Sequence, residues 1–317
     1  TPVRRASKRL GTGTIPPRML TSASVLRLIH DLVREHNCTS VYFDAGSNIG
    51  VQIRKLYQPD WYASHADLAL KTAMPVLHKH FEGPLRKAQA RMMRLQDEAF
   101  GPTPRCHVCS VGFEPNPAHQ PRLQQVQRAL RAAGAGVLVV HAGLASSDGI
   151  LSLQGVGARG HGADMTQTGA ALSHHNNAMP ATSARPSVAT VDFATVLLGV
   201  RALLGHGKKI VMKMDIETEE YKLFPHLISR SALCELDVVY VEWHPKVCGK
   251  KAHKVGPKAL CNRSRHLRAH SRLLYDLHQT VHAAAEEDCH TALHDLDDEY
   301  HATDGAPWPS GRFKCGF

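Results

Sequence analysis

Short apolar runs alternate with amphipathic segments along most of the chain. Runs that are short, almost wholly apolar and rich in Val and Ile are typical of strands buried on both faces of a sheet. Each of the following runs is therefore predicted to be a strand: 41–44 (VYFD), 107–114 (HVCSVGFE), 136–143 (GVLVVHAG), 208–215 (KKIVMKMD) and 236–244 (LDVVYVEWH). The tail, 289–317, is predicted to add two short strands and a turn.

The segments between these runs carry apolar residues at helical spacing. In the first segment, Leu26, Ile29 and Leu32 fall on one helical face that follows a serine cap. Pro59 is expected to end the second helix, and Pro225 is expected to bend or break the fifth. This spacing predicts helices over 22–36, 51–57, 120–134, 191–205, 219–229 and 262–287.

Strands that alternate with helices indicate a parallel sheet covered by helices on both faces. Right-handed crossovers then produce an α/β, Rossmann-like, doubly wound and mostly parallel sheet. We expect a basic flexible leader or stem over 1–22 and one domain over 23–317. Within this domain we expect a helical insert at 57–105 and a mobile loop at 155–187, which is rich in Gly, Ala, Ser, Thr and His.

Composition narrows the class of protein. Of the 317 residues, 43% are hydrophobic and 21% are charged, which is typical of a soluble globular protein. No apolar run reaches the roughly 18 residues of a membrane helix. The first residue is Thr1, so we allow for a membrane tether in a segment removed from the amino terminus. The net charge is +10, but the basic residues are dispersed and no RNA-recognition or zinc-finger signature accompanies them, so no nucleic acid partner is expected.

Cysteines and sequons bear on location. The chain has 8 cysteines, and N-glycosylation sequons start at Asn37 and Asn262. Together they favour the lumen of the secretory pathway, in the Golgi or outside the cell. A cytoplasmic or organellar enzyme with reduced thiols is the alternative. The 22 histidines are expected to contain no metal-binding pair.

Carboxylates stand at the predicted carboxyl ends of successive strands. Each one alone would be explained as a cap of the next helix. A series of them points to a ligand site, because doubly wound sheets bind ligands in the crevice beyond these strand ends. The residues are Asp44, Glu114, Asp215 and Glu242.

The loop after the first strand, DAGSNIG, has the pattern D-x-G-x-N-x-G. Gly46 permits a tight turn, and Gly50 permits close approach of the backbone to a ligand. Glu114, at the end of the next strand, is placed to hydrogen-bond both hydroxyls of a ribose. A dinucleotide enzyme would carry G-x-G-x-x-G at this loop, whereas Asn48 holds the middle position here. The loop therefore fits an amino acid attached to a nucleoside better than it fits a pyrophosphate.

These motifs resemble the S-adenosylmethionine-dependent methyltransferases of the FkbM-like family. FDAGSNIG is similar to the first motif of that family, and GFEPNP is similar to its second. KMDIETEEYKLF resembles its Lys-hydrophobic-Asp-x-Glu-Gly-x-Glu element, although Thr218 stands where the family usually has Gly. VVYVEWH is similar to the strand that follows, and AGLASSDGILSL to the turn after the third strand. The resemblance spans about residues 41 to 245.

The resemblance implies a class I methyltransferase domain that binds S-adenosylmethionine. It assigns cofactor contacts to Asp44, Gly46, Ser47, Asn48 and Gly50 around the methionine part, to Glu114 on the ribose, and to Pro115, Asn116, His141 and Ala142 near the adenine. For His141, a satisfied core histidine is the alternative.

The resemblance also implies transfer of the methyl group to a hydroxyl, with a sugar or glycan as the acceptor. Such a hydroxyl needs a general base or a metal to help its proton leave. The candidates near the methyl group are Asp215, Glu217, Glu242 and His244. With a pKa of about 6.5, His244 would be neutral at pH 7 and would accept the proton. Alternatively, Asp215 and Glu242 would hold Mg²⁺, which prefers oxygen ligands.

Two other functions remain open. A non-catalytic methyltransferase-fold scaffold or binding module would use the basic surface, although the complete set of strand-end acids argues against it. A dehydrogenase is disfavoured by the spacing of the glycines.

The expected position of the cofactor also predicts disulfides. If Asp44 and Glu114 end neighbouring strands at the same level, Cys38 and Cys109 lie at nearly the same height, since they precede these acids by six and five residues. Cys38 is therefore predicted to pair with Cys109, or with Cys106 if the chain bends there. A zinc site at Cys106 and Cys109 is less favoured, because no second CxxC accompanies it. The further predicted pairs are Cys248 with Cys261 and Cys289 with Cys315.

Overall fold

The computed structural model describes residues 20–62, 90–154, 171–173, 187–217, 219–244, 275–296, 308–309 and 311–313. Residues 1–19 of the predicted leader and most of the predicted loop at 155–187 lie outside these ranges. Of the insert at 57–105, a helix over 90–100 is described and 63–89 is not, so the insert as a helical unit stays a prediction. Among the described helices, none has the length and apolar character needed to cross a membrane.

The described residues form ten strands in two sheets. In chain order they are β1 (Ser40–Ala45), β2 (Val108–Phe113), β3 (Gly136–Val140), β4 (Gly143–Ala145), β5 (Gly149–Gln154), β6 (Ala171–Ser173), β7 (Ser187–Asp192), β8 (Ile210–Met214), β9 (Val238–Val241) and β10 (Ala292–Asp295). The main sheet has the order β10-β9-β8-β1-β2-β3, and every neighbouring pair in it is parallel. This parallel sheet, flanked by helices, confirms the predicted Rossmann-like α/β fold.

A second, smaller sheet was not predicted. Its order is β4-β7-β5-β6, with β5 antiparallel to both of its neighbours. It joins the first helix through Asp148, whose Oδ1 accepts hydrogen bonds at 3.0 Å from the backbone N–H groups of Ser22 and Asp192. Two of its strands have only three residues, which is too short for an apolar pattern to reveal.

The helices cover Ser22–His36, Val51–Tyr57, 59–62, 90–100, Gln120–Ala132, Phe193–Leu204, Glu220–Ser229 and 275–283. Thr21 caps the first of them in a reciprocal box with Ser24, in place of the predicted serine cap. Pro225 lies inside the helix Glu220–Ser229 and does not end it. A single turn of π-helix, Ala284–Asp288, follows the last helix.

The core fixes both ends of the loop that follows β1. On one face of the sheet, the Phe193 ring meets the rings of Phe43 and Phe113 edge-on, with centroids 5.3 and 6.0 Å apart. On the other face, every residue of the helix Val51–Tyr57 is buried. The loop is therefore held between a buried strand and a buried helix, and close packing leaves it little freedom to move.

The disulfide that links β1 and β2 was predicted. Cys38 and Cys109 are bonded, with their Cα atoms 5.6 Å apart. Cys106 is also in a disulfide, so neither cysteine is available to a zinc ion. No described cysteine is free, which is compatible with a secreted or lumenal protein.

The predicted pair of Cys289 with Cys315 is wrong. Cys289 is bonded to Cys234 instead, with Cα atoms 4.3 Å apart. The cause is strand pairing: Val238 at the start of β9 lies opposite Ala292 at the start of β10. The segments that lead into these two strands are therefore neighbours. The other predicted pair, Cys248 with Cys261, lies outside the described residues.

Candidate functional site

The strand order reverses beside β1, where the ligand crevice of a doubly wound sheet opens. β1 lies between β2 and β8. The chain adds β2 and β3 on one side of β1, and then crosses to add β8, β9 and β10 on the other. The structure places all four predicted strand-end acids at the carboxyl ends of the strands, beside this crevice. They are Asp44, Glu114, Asp215 and Glu242. Asp44 is the innermost of them and is fully buried.

The loop after β1 packs directly on both neighbouring strands. A β-carbon on Gly46 would lie 1.7 Å from the backbone carbonyl oxygen of Asp215, just beyond β8. A β-carbon on Gly112 of β2 would lie 2.5 Å from the Ser47 hydroxyl oxygen. Gly46 and Gly50 have φ of +82° and +85°, a backbone conformation that glycine adopts readily. Because these positions carry no side chain, the loop can pack closely against both β2 and β8, which form the two sides of the crevice.

Most backbone N–H groups of this loop are used inside the protein. Those of Gly46 and Ser47 both donate to the last carbonyl of β2, at 3.0 Å. That of Asn48 donates to the Glu114 carboxylate at 2.7 Å, and that of Gly50 donates to the Ser47 carbonyl at 2.7 Å. A pyrophosphate loop needs such groups free to face the phosphates. This loop does not offer that cradle.

Glu114 connects the loop after β1 with the loop after β2. One carboxylate oxygen accepts from the backbone N–H of Asn48, and the other accepts from that of Asn116 at 2.8 Å. The residue is 6% exposed. Asn48 has φ of 49°, a left-handed conformation that Asn tolerates better than most residues. These two hydrogen bonds fix the position of the carboxylate and leave part of its acceptor capacity unused.

Buried polar atoms without partners surround Glu114. Within the described ranges, Asn48 Oδ1, Asn116 Nδ2 and His141 Nδ1 have no hydrogen-bond partner. Neither ring nitrogen of His119 makes a hydrogen bond there, although Nδ1 lies 3.6 Å from Glu114 Oε1. Burial lowers the pKa of His141, although the nearby Glu114 opposes the shift, so this ring is neutral at pH 7. Buried polar groups are normally satisfied. A polar ligand beside Glu114 would satisfy these atoms, so the residues fit the ribose and base of a nucleoside.

The β8 side of the crevice holds a cluster of charged side chains. One of them is a lysine that was not predicted to be a site residue. Lys213 is 1% exposed in β8. Its Nζ lies 3.4 Å from Glu242 Oε2 and 3.7 Å from Asp215 Oδ2. A lysine in the middle of an apolar strand was the available signal, because such a charge is buried only when it is paired.

His244 lies among three carboxylates. Its Nε2 is 3.3 Å from Glu242 Oε1 and 3.6 Å from Asp215 Oδ1, and its Nδ1 is 3.3 Å from Glu220 Oε1. Burial lowers the pKa of His244, but the hydrogen bonds and negative charges of these carboxylates outweigh burial and raise the pKa to about 11. The ring is therefore an imidazolium at pH 7. This charge argues against the prediction of a neutral His244 that accepts a proton.

Glu220 supplies the contact that sequence reasoning missed. It is fully buried in the first turn of its helix. One oxygen accepts a hydrogen bond from the backbone N–H of His244 at 2.7 Å, and the other has no hydrogen-bond partner among the described residues. The helix amino terminus favours a negative charge there. Glu220 therefore fixes His244 against the end of β8.

Glu217 completes the cluster. It has φ of 53°, an uncommon backbone conformation for this residue type that is often found at functional sites. Its carboxylate lies close to the Asp215 carboxylate and the His244 ring. One possible ligand atom from each of the three side chains falls within 4.8 Å of the others. These three residues could hold a divalent cation. Glu242, the other ligand in the predicted Mg²⁺ pair, instead contacts Lys213 and His244.

No protein-family model, curated protein or solved structure matches this chain. Its class therefore rests on the fold and the crevice. The chain is an α/β protein with a Rossmann-like sheet, and its acidic residues gather where such sheets bind nucleotides.

Proposed function

We propose that the protein is an S-adenosylmethionine-dependent methyltransferase that acts on a hydroxyl, with a sugar or glycan as the acceptor class. The observation that carries the proposal is the arrangement at the ends of β1 and β2. There, Glu114 is held in place beside buried polar atoms that lack partners, and the loop has no free N–H array for a pyrophosphate. This combination favours a nucleoside that carries an amino acid over a dinucleotide.

The nucleoside would occupy the β2 side of the crevice. An ionised carboxylate has about four lone-pair positions, and Glu114 uses two of them for Asn48 and Asn116. The remaining positions would accept hydrogen bonds from a ribose diol. The side chains of Asn116 and His141 would then find partners on the base. The close approach of Gly46 to Asp215 places the loop that would line the methionine part directly beside the charged cluster.

The charged cluster would serve the acceptor. Bound S-adenosylmethionine would supply a methyl group from its sulfonium, and the neutral thioether that remains is a good leaving group. As the carbon–sulfur bond breaks and the oxygen–carbon bond forms, the hydroxyl proton must leave. His244 already holds a proton, so we assign the base to Asp215, with Glu217 beside it. Lys213 and His244 would keep these carboxylates ionised and oriented.

A divalent cation is the alternative route. Bound by Asp215, Glu217 and His244, it would displace the proton of His244, because metal-bound imidazole is neutral. A cation at these ligands would lower the pKa of an acceptor hydroxyl. Activity that is lost with a chelator and restored with Mg²⁺ would favour this route over a carboxylate base.

The test has two stages. Calorimetry should show binding of S-adenosylmethionine and no binding of NAD. Labelled S-adenosylmethionine should then transfer its methyl group to glycan extracts, and the methylated hydroxyl can be mapped. Binding of NAD alone would overturn the proposal. Binding of S-adenosylmethionine with no transfer to any glycan, lipid or small-molecule hydroxyl would favour a non-catalytic module. The disulfides support a glycan acceptor only in that they are compatible with the compartment where glycans are made.

A further inference from the structure

A second group of possible metal ligands lies at the edge of the main sheet. His278 and His282 are four residues apart on the helix 275–283, so both rings project from one helical face. His278 Nε2 lies 3.1 Å from Asp295 Oδ2, and His282 Nε2 lies 2.9 Å from Asp295 Oδ1. Asp295 is the last residue of β10. The expectation that the histidines contain no metal-binding pair overlooked this spacing.

The separations between these possible ligand atoms suit an ion with tetrahedral coordination. One ligand atom from each of the three side chains lies within 4.8 Å of the others. Zinc–ligand bonds of roughly 2.0–2.1 Å at tetrahedral angles separate neighbouring ligand atoms by about 3.3 Å. The two nitrogen–oxygen distances are a few tenths of an ångström shorter, so rotation of the side chains alone would admit the ion.

The surroundings hold these ligands in place and leave one side open. Trp243 donates from its indole N–H to Asp295 Oδ1 at 2.9 Å, and its ring meets the His278 ring at 4.9 Å. Gln279 lies 2.9 Å from the second nitrogen of His278, where its amide can serve either tautomer. His278 is buried, while His282 and Asp295 have side chains 24% and 50% exposed. An ion can therefore enter from solvent.

We propose that His278, His282 and Asp295 bind a divalent zinc-type ion, with water as the fourth ligand. Two imidazoles and one carboxylate favour zinc and its transition-metal neighbours over Mg²⁺ and Ca²⁺, which prefer oxygen ligands. The ion would join the helix 275–283 to the end of β10. The site does not depend on the proposed methyltransferase activity, and it shares no ligand with the crevice.

The competing explanation needs no metal. The two histidines and Trp243 can each donate one hydrogen bond to the Asp295 carboxylate, so that both of its oxygens have partners. The two explanations differ in whether Zn²⁺ or Co²⁺ binds with tetrahedral geometry. They also differ in whether the ion stabilises the fold, because a ligand that binds only the native state raises the unfolding temperature.

The experiment uses the full chain after removal of metal with a chelator. Zn²⁺ binding is measured by calorimetry, Co²⁺ geometry by visible absorption, and stability by thermal unfolding with and without Zn²⁺. His282→Ala should weaken Zn²⁺ binding by at least roughly 10-fold, since loss of an outer partner alone has that effect. The variant should also lose the tetrahedral Co²⁺ bands and the Zn²⁺-dependent rise in unfolding temperature.

Two controls make the result specific. His206→Ala removes an exposed histidine of a turn and should behave like the wild type. Asp215→Asn alters the cation candidate of the crevice and should keep the tetrahedral Co²⁺ bands and the Zn²⁺-dependent rise in unfolding temperature. If the Ala variant is unstable, His282→Gln retains a polar side chain and replaces it in the same measurements. The proposal is overturned if His282→Ala and His206→Ala bind Zn²⁺ equally, if only Asp215→Asn loses the ion, or if wild-type Co²⁺ spectra show no tetrahedral bands.

Discussion

The backbone carbonyl of Asp215 occupies the space that a β-carbon on Gly46 would need, at a distance of only 1.7 Å. This contact predicts that Gly46→Ala is far more destabilising than an alanine at an open glycine. Gly101 is the control, since it also has positive φ (+79°) but has no atom within 4 Å of its would-be β-carbon. Gly101→Ala should cost about 1–2 kcal/mol for its left-handed backbone, and Gly46→Ala should cost clearly more. Urea unfolding measures both, and equal losses would contradict the contact.

Removal of the Glu114 carboxylate should weaken cofactor binding. In Glu114→Ala, two buried N–H groups and a bound ribose diol lose their acceptor, and an unsatisfied buried group costs about 1–3 kcal/mol. The affinity for S-adenosylmethionine should therefore fall roughly 5- to 150-fold. Glu35→Ala removes a half-exposed glutamate that pairs with Arg131 and should leave the affinity unchanged. Calorimetry that finds wild-type affinity in Glu114→Ala would remove this residue from the binding site.

Substitutions in the charged cluster should affect turnover more than binding. Asp215→Asn should lower kcat by at least about 100-fold, the range for loss of a general base, with cofactor affinity nearly unchanged. His244→Ala should also lower kcat, because Asp215 and Glu242 lose a cationic neighbour. Asp31→Asn, at an exposed position of the first helix, is the control. Near-normal rates in both cluster variants would mean that the base lies elsewhere.

The charge of His244 should make stability depend on pH. Its pKa is raised from 6.5 to about 11 in the folded protein, so the folded state holds a proton that the unfolded state releases. The stabilisation is complete below pH 6.5, declines above it, and is lost as the pH passes through about 11. In His244→Gln, the free energy of unfolding should therefore fall less between pH 7 and about 9.5 than in the wild type. Urea unfolding at both pH values measures this, with His206→Gln as control. Equal slopes in all three proteins would show that His244 is not held as a cation.

Peptide mapping without reduction should recover the pairs Cys38–Cys109 and Cys234–Cys289 among its linked peptides. The bonds span 71 and 55 residues of sequence, so each should contribute about 2–4 kcal/mol, mainly by restricting the unfolded chain. The double variant Cys234→Ala/Cys289→Ala should therefore unfold at a lower urea concentration than the wild type. Its free energy of unfolding, measured by urea unfolding, should be lower by that amount. Recovery of Cys289 linked to Cys315 would contradict the pairing at β9 and β10.

The main sheet could be predicted because its strands are buried on both faces and are therefore apolar along their whole length. β6 could not, because three residues inside a tract rich in Gly and Ser carry no period. The predicted strand ends also gave the correct positions of the four acidic residues in the sheet. The protonation of His244 could not be predicted, because its charge depends on carboxylates from three different segments that only the folded chain brings together.

The errors have a common physical origin. The register argument that paired Cys38 with Cys109 applies equally to Cys234 and Cys289, but it needed the knowledge that β9 and β10 are neighbours. His278 and His282 were visible as a helical pair, yet their third partner, Asp295, arrives only through the same strand pairing. Sequence patterns define elements well, and they define contacts between distant elements only where a ligand motif links them.

The disulfides Cys38–Cys109 and Cys234–Cys289 both join segments at the amino ends of neighbouring strands, whereas the crevice lies at the carboxyl ends. These two bonds fix the sheet covalently at the amino ends of its strands, and the contacts described around the crevice are hydrogen bonds and ion pairs. We therefore expect structural adjustment to ligands of different size to take place at the carboxyl ends. Changes made at the amino ends of the strands, such as a new crosslink or an attached label, should alter the stability of the protein without changing the shape of its crevice.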